Sequence, residues 1–428
     1  MIRWLSVLFV LLASAEAFCS TKAYEIVSYK VEVKPDIVSK TVSGSTTLRL
    51  RLRSAASVLT LPLNGLIAEN VKIGQYEADF RVVDDALIVP VSSEQQTSEL
   101  SITISYRGRP TRGLIFGPNY VYTAYFTCNW MICDADPAIK TTIAIDVLVP
   151  KGYAVVASGE EVARRQENGN IIRHAWRQDF PYSSYLFGFA AGKFNEASVT
   201  HGMNWLRLLG VSDDASSLFR KFSDTANMMK FFEKVSGVAF PNRVYTQVLV
   251  PGHEAQEVSS FSVLGKEVVD PILKDPKNDW GIAHELAHQW WGNLLTCSTW
   301  KDFWLNEGIT VFMVAAYKEQ RWGRAAYIAE LDLARRRYQV AVDNRFDVPL
   351  TFDGAYPSVQ IKRAIVYSKG ALFVEALRNE LGDEVFWSGL RAYTQENVGK
   401  SVDSRIFQLS MERVARKSLS GLFNHWVY

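Results

Sequence analysis

Apolar side chains recur at every second position through residues 26–200: Val27, Tyr29, Val31 and Val33, then Leu48, Leu50 and Leu52, then Ile102, Ile104 and Tyr106. A period of two places such residues on one face of an extended chain, so these runs predict half-buried β-strands. Asn64-Gly65 and Gly108-Arg109-Pro110 separate them with turn chemistry, and no helical spacing of useful length intervenes. The prediction is an N-terminal antiparallel, β-sandwich-like domain over 18–204.

The texture changes near Trp205. Residues 212–235 carry apolar side chains at helical spacing (Leu218, Phe222, Ala226, Met229, Phe232), strand-like runs follow at 244–250 and 260–264, and helical periods dominate beyond Asp279. Helices are predicted over 280–293, 302–322, 324–344, 364–381 and 404–417, with Gly323 and Gly382 just past two of the ends. The second domain, 205–428, reads as a small sheet followed by a helical lobe, and the chain as α+β multidomain.

Composition narrows the classes. A chain of 428 residues with 48% hydrophobic side chains can bury two or three cores, and disorder is excluded as its general state. The formal charge is +2 and no run of Lys or Arg occurs, so neither nucleic acid nor an anionic membrane surface is implied. At the start, Arg3, an apolar run from Trp4 to Ala13 and the triplet Ala15-Glu16-Ala17 predict a secretory signal over 1–17. The run is well short of the roughly 20 apolar residues a span needs, so no membrane span is expected in the mature chain, which would be exported to the periplasm or secreted. Cys19, Cys128, Cys133 and Cys297 could form bridges in such a compartment, with the pairing open; none has C-x-x-C spacing, which argues against a cysteine zinc site.

The chemistry concentrates in one stretch. On a helix His284 and His288 stand at i and i+4, so their imidazoles lie over one another on one face, as two ligands of one cation must. Glu285 is turned away from that face, near enough to serve an attacking water without ligating the metal. Glu307, in Asn306-Glu307-Gly308 on the next predicted helix, offers a third ligand. Two histidines and one carboxylate leave a fourth tetrahedral position open, the pattern of a catalytic zinc rather than a structural one, with one Zn2+ per chain. Two ordinary histidines could share this spacing by chance, but the chain has only six His.

With its neighbours the stretch HELAHQWWGNLLT, followed by FWLNEG, resembles the zinc aminopeptidase family of aminopeptidase N and the leukotriene hydrolases, which are gluzincin metallopeptidases. YKVEVKPD, ICDADPAIKTTI and PYSSYLFGFAAGKF resemble landmarks of that family's N-terminal β domain. The resemblance implies a thermolysin-like catalytic domain, a peptide or protein substrate, and release of N-terminal residues as the default activity. Tyr367, followed by Ser-Lys-Gly, reads from its neighbours alone equally as a packed helix-start tyrosine. The Y-x-K-G match implies the family tyrosine that stabilises the tetrahedral intermediate.

Departures accompany the match. Where the family has G-x-M-E-N, this chain has Glu254-Ala255-Gln256-Glu257-Val258, so Glu257 is the implied receiver of the substrate α-ammonium, with Ala255 and Gln256 beside it. The segment expected to add a second acid or amide, 122–127, has neither. Val311 and Val314 stand where relatives often carry an acid behind a zinc ligand, and Asp302 is the substitute candidate, with a helix cap as its alternative. The resemblance also implies a short member lacking the C-terminal helical domain, with a more open cleft. An endopeptidase or a peptidase with altered N-terminus recognition is the alternative, and a catalytically silent zinc-binding relative a third.

Overall fold

The computed structural model describes residues 24–52, 57–92, 99–201 and 204–428; the predicted signal at 1–17 and Cys19 lie outside them. Alternation in the first half produces an eight-stranded sheet whose order is Glu160–Gln166, Ile171–Ser183, Lys140–Pro150, Tyr24–Asp36, Thr41–Leu52, Glu99–Gly108, Ile67–Ile73 and Tyr76–Glu77. Val31, Val33, Leu48, Leu50, Ile102, Ile104, Ile145 and Val147 point from it into one core. Val27 does not, because a register shift between Ile26 and Ser28 hands the inward position to Ile26.

The sheet is not wholly antiparallel, as the sequence had suggested. Tyr24–Asp36 runs parallel to Lys140–Pro150, with Val31 opposite Ile145. A parallel pair needs a long crossover, and here the intervening hundred or so residues supply it. Four more strands, among them Tyr120–Ala124 and Phe189–Gly192, form a second sheet, and a three-stranded sheet completes this half.

The second half begins with Asn195–His201, a few residues ahead of 205, which pairs with Asn204–Gly210. Val244–Val250, Phe261–Gly265 and the edge strand Ala255–Val258 complete a mixed five-stranded sheet. Helices follow at Trp280–Ala287, Trp304–Trp322, Arg324–Asp343, Val359–Arg363, Gly370–Leu381, Asp383–Glu396, Ser404–Ala415 and Ser420–Trp426. The first stops at Ala287 rather than running to residue 293. Beyond it the N–H groups of Asn293, Leu294 and Leu295 reach back five residues to the carbonyls of His288, Gln289 and Trp290, and Gly292 adopts φ +130°, which no helix accommodates. The apolar face of Asp383–Glu396, with Phe386, Leu390 and Tyr393 buried, was not anticipated. No helix among the described residues is long and apolar enough to cross a membrane.

The two halves are joined by polar contacts. The Lys140 ammonium donates to the carbonyls of Asn293 (3.0 Å) and Leu294 (3.2 Å) and to the Thr296 hydroxyl (2.8 Å). Tyr185 hydroxyl donates to the Gly292 carbonyl (3.3 Å) and accepts from the Asn306 amide (2.9 Å). Cys128 and Cys133 form a disulfide, whereas Cys297 is buried and unpaired.

Candidate active site

The helix Trp280–Ala287 lies against the edge strand Ala255–Val258 on one side and Trp304–Trp322 on the other, which brings three side chains to one point. His284 Nε2 and His288 Nε2 are 3.0 Å apart, and Glu307 Oε2 is 3.3 Å and 3.4 Å from them. Ligand bonds of about 2.0–2.1 Å at tetrahedral angles separate neighbouring donor atoms by about 3.3–3.4 Å, so the triangle fits one small cation such as zinc. Glu307 Oε2 and Glu285 Oε2 are buried with no hydrogen-bond partner, which a cation and its water would supply.

The outer partner of His288 is the Trp291 carbonyl, 3.0 Å from Nδ1. A carbonyl only accepts, so Nδ1 carries the proton and Nε2 presents its lone pair to the ligand triangle. Thr310 Oγ1 lies 3.3 Å from the same Nδ1 and 3.2 Å from the Trp291 carbonyl. Asp302 is not an outer ligand partner. It accepts from Ser404 N–H (3.1 Å), Ser404 hydroxyl (2.5 Å) and Thr299 hydroxyl (2.9 Å), bracing the start of Ser404–Ala415. Thr310 sits three residues past Glu307 on the same helix face, a spacing the sequence did offer. The Trp291 carbonyl left no side-chain signal.

The electrostatics are those of crowded carboxylates. Burial pushes Glu285 well above the usual carboxylate range against the pull of His288, and Glu257 and Glu307 push it the same way. Glu257 is raised by burial too, again against His288 and with Glu307 adding to the effect. Burial would also raise Glu307, but His288 and His284 hold it below its ordinary value. Potential ligand atoms of Glu257, Glu285 and His288 lie within 4.8 Å of one another. A divalent cation is the natural counter-charge for such a group.

Tyr367 lies on the widened turn Ala364–Lys369, a π-helical segment continuous with the helices on either side. Its ring stacks on His284 with centroids 6.1 Å apart and planes 15° apart, and burial followed by the charge of Glu307 raises its hydroxyl pKa. Gln256 and Ala255 are brought to the cleft with Glu257, but both are engaged by Tyr125, which the sequence reading had not singled out. Tyr125 N–H donates to Gln256 Oε1 (2.9 Å) and its hydroxyl to the Ala255 carbonyl (2.6 Å). Tyr125 holds φ +60°, uncommon for a residue with a Cβ.

Two histidines from one helix and a carboxylate from the next, converging beside an edge strand with a further carboxylate next to them, make a mononuclear metal site with room for a fourth ligand. The chain belongs to peptidase family M1: residues 25–186 match the Peptidase M1 N-terminal domain and residues 220–426 the Peptidase family M1 domain. Similar proteins include Leucine aminopeptidase 2 of Aspergillus oryzae, 30% identical over 65% of this chain and 46% of that protein. Leucine aminopeptidase 2 of Yarrowia lipolytica is 26% identical over 88% and 61%. The chain thus spans about half the length of these relatives. Among solved structures, an M1 zinc metallopeptidase from Deinococcus radiodurans superimposes with a TM-score of 0.77 at 21% identity, covering 95% of this chain and 93% of that one.

Proposed function

We propose that the chain is a zinc-dependent aminopeptidase that releases residues from peptides with free N-termini. Glu257 carries this reading. Its carboxylate is buried beside Glu285, and no Lys or Arg among the described residues pairs with it. An unpaired buried charge costs several kcal/mol, which a substrate ammonium docking there would offset. The aminopeptidase names of the relatives agree with this.

Zn2+ on His284, His288 and Glu307 would supply Lewis acidity and a water of lowered pKa. Glu285 takes the proton of the attacking water as its oxygen bonds to the scissile carbonyl carbon. It then passes that proton to the amine nitrogen as the C–N bond breaks, a task its raised pKa suits. Tyr367 hydroxyl donates to the developing oxyanion, and Glu257 fixes the α-ammonium so that only the first peptide bond reaches Glu285.

One observation favours an endopeptidase instead: the Gln256 amide oxygen is spent on Tyr125 N–H, leaving Glu257 alone to recognise an N-terminus. Matched free and N-acetylated peptides decide between the two. The parent should cleave the free-amine peptides far better and Glu257→Gln should lose most of that advantage; equal cleavage of both by the parent refutes the aminopeptidase reading. Export to the periplasm or cell exterior belongs to the same proposal, supported by the leader pattern at 1–17 and by the Cys128–Cys133 disulfide, which persists in oxidising compartments.

A further inference from the structure

We infer that Trp280 is a positioning residue of the metal site: its indole ring, set edge-on against the imidazole of His284, orients that ligand in place of a hydrogen-bonded partner. The inference rests on the ligand triangle of His284, His288 and Glu307, and it holds for any substrate the site takes.

The two histidines are held differently. His288 Nδ1 lies 3.0 Å from the Trp291 carbonyl, which fixes both its tautomer and its ring plane. His284 is buried as well, at 4% exposed, yet its Nδ1 has no hydrogen-bond partner among the described residues. Its Nε2 faces the same point as that of His288, so a cation there leaves the proton of His284 on Nδ1. The torsion about the Cβ–Cγ bond of a histidine is broad and roughly two-fold, so an unrestrained ring swings Nε2 away from the triangle.

Aromatic rings supply the restraint. Trp280 precedes His284 by four residues on Trp280–Ala287, and helical side chains lean toward the N-terminus, so the imidazole lies over the turn that carries the indole. The two ring centroids are 5.3 Å apart with planes at 86°. Tyr367 lies nearly parallel to the same imidazole, and the His288 ring stands across it with centroids 4.5 Å apart and planes at 86°. An imidazole so bounded cannot turn without colliding with Tyr367 or giving up its T-shaped contact with Trp280. The indole is itself steadied from behind. Asp279, the residue before it, is buried and accepts from the Trp322 indole N–H (3.3 Å), with the Lys318 ammonium 3.5 Å away. Trp280 is 37% exposed, against 0%, 1% and 0% for Trp290, Trp291 and Trp304, so its ring walls off His284 rather than filling the core.

The test measures zinc affinity by competition with a chelator in the parent, Trp280→Ala, Trp280→Leu, Trp280→Phe and, as a control on an exposed tryptophan of the strand Asn204–Gly210, Trp205→Ala. Losing the partner that orients a metal ligand costs about tenfold to a hundredfold in metal affinity, so Trp280→Ala should raise the zinc Kd by that much. Trp280→Leu, apolar but without a ring, should fall near it, whereas Trp280→Phe should stay within about threefold of the parent and Trp205→Ala within about twofold. Melts of the metal-free proteins should agree within a few degrees, which separates orientation of a ligand from support of the fold. Should Trp280→Ala fail to fold, the Leu and Phe pair carries the comparison. An unchanged Kd in Trp280→Ala overturns the inference, and so does a Trp280→Leu that matches Trp280→Phe. A second measurement needs no variant. In nitrogen-15-edited spectra of the zinc-loaded parent, the Nδ1 proton of His288, deshielded by its hydrogen bond to the Trp291 carbonyl, should resonate well downfield of that of His284. A His284 proton equally far downfield would reveal a hydrogen-bonded acceptor, water included, and overturn the inference as well. A parent that binds no zinc would remove the ligand triangle itself, a failure distinct from an unchanged Kd in Trp280→Ala.

Discussion

Replacing Gly308 by alanine should damage catalysis more than stability, and the reason is a backbone contact behind the site. A Cβ on Gly308 would stand 2.7 Å from Gly370 Cα, 2.9 Å from its carbonyl carbon and 3.3 Å from Ala371 N. Carbon atoms settle at about 3.5–4.0 Å, so the helices Trp304–Trp322 and Gly370–Leu381 must part by roughly 1 Å. All three atoms met are backbone and cannot swing aside. Overpacking of this kind costs about 1–3 kcal/mol, partly offset by the roughly 1 kcal/mol by which alanine outranks glycine inside a helix. The wedge falls between Glu307, the neighbouring residue, and Tyr367, three residues before Gly370. A misplacement of about 1 Å between reacting groups costs on the order of 10²-fold in rate. Saturating kinetics together with thermal melts of Gly308→Ala should give a kcat about two decades down and a Tm lowered by only a few degrees. In Gly370→Ala the new Cβ meets Gly308 Cα at 2.9 Å but nothing else closer than 3.7 Å, so its loss should be smaller. Gly421→Ala, in a helix with open space around the site of the new Cβ, should be neutral or slightly stabilising. A Gly308→Ala enzyme with kcat within threefold of the parent would refute the idea that this contact sets the spacing of the site.

Glu285→Ala should retain one zinc per chain by metal analysis while hydrolysis falls by about 10²–10⁴, the usual contribution of a general base; a zinc-free variant would move Glu285 into the ligand set. Tyr367→Phe should lower kcat by about 10²–10³ with little change in KM, and an unchanged kcat would return the residue to a packing role. Lys140→Met should lose about 1–3 kcal/mol in denaturant unfolding, since a half-buried ammonium with three acceptors is removed. Burial draws the Lys140 pKa down from 10.5 to about 7, so the unfolded chain binds the extra proton between those values. The parent should therefore gain stability as pH rises from about 7 toward 10, and that slope should be missing in Lys140→Met. A slope that survives the substitution would assign it to another group.

Much of the metal triangle was legible because it depends on helical spacing alone: i and i+4 for His284 and His288, and a carboxylate near the start of the next long helix. The strand faces were legible for the same reason, period two needing no partner to be read. What escaped was set by contacts between distant segments. The parallel pairing of Tyr24–Asp36 with Lys140–Pro150 joins strands more than a hundred residues apart, and alternation is the same for either direction. The helix end at Ala287 depends on wide-turn bonds and on Gly292 φ, where Trp290, Trp291 and Leu294 continue an apolar run that looks helical. The π turn under Tyr367 and the occupation of Gln256 by Tyr125 are likewise tertiary outcomes, invisible in the residues that make them.

These contacts make the β half part of the catalytic apparatus. His288 can present Nε2 to a cation only while Nδ1–H is held by the Trp291 carbonyl. That carbonyl belongs to the turn after the shortened helix, whose neighbouring carbonyls gather donors from several segments: the Thr296 hydroxyl reaches those of Gly292 (2.8 Å) and Asn293 (3.1 Å), and the Gly399 N–H that of Leu294 (3.0 Å). Lys140 takes those of Asn293 and Leu294, and Tyr185 takes that of Gly292 while also accepting the amide of Asn306, the residue before Glu307. One lysine and one tyrosine from the first half therefore brace the turn that orients one ligand, and the tyrosine steadies the helix start that carries another. The break in the helix thus has a structural consequence: it sets the carbonyls of Asn293 and Leu294 and the Thr296 hydroxyl where the half-buried Lys140 ammonium meets all three. Sheet, turn and ligand are specified together, and a change at the domain junction reaches the metal through two hydrogen bonds rather than through the cleft.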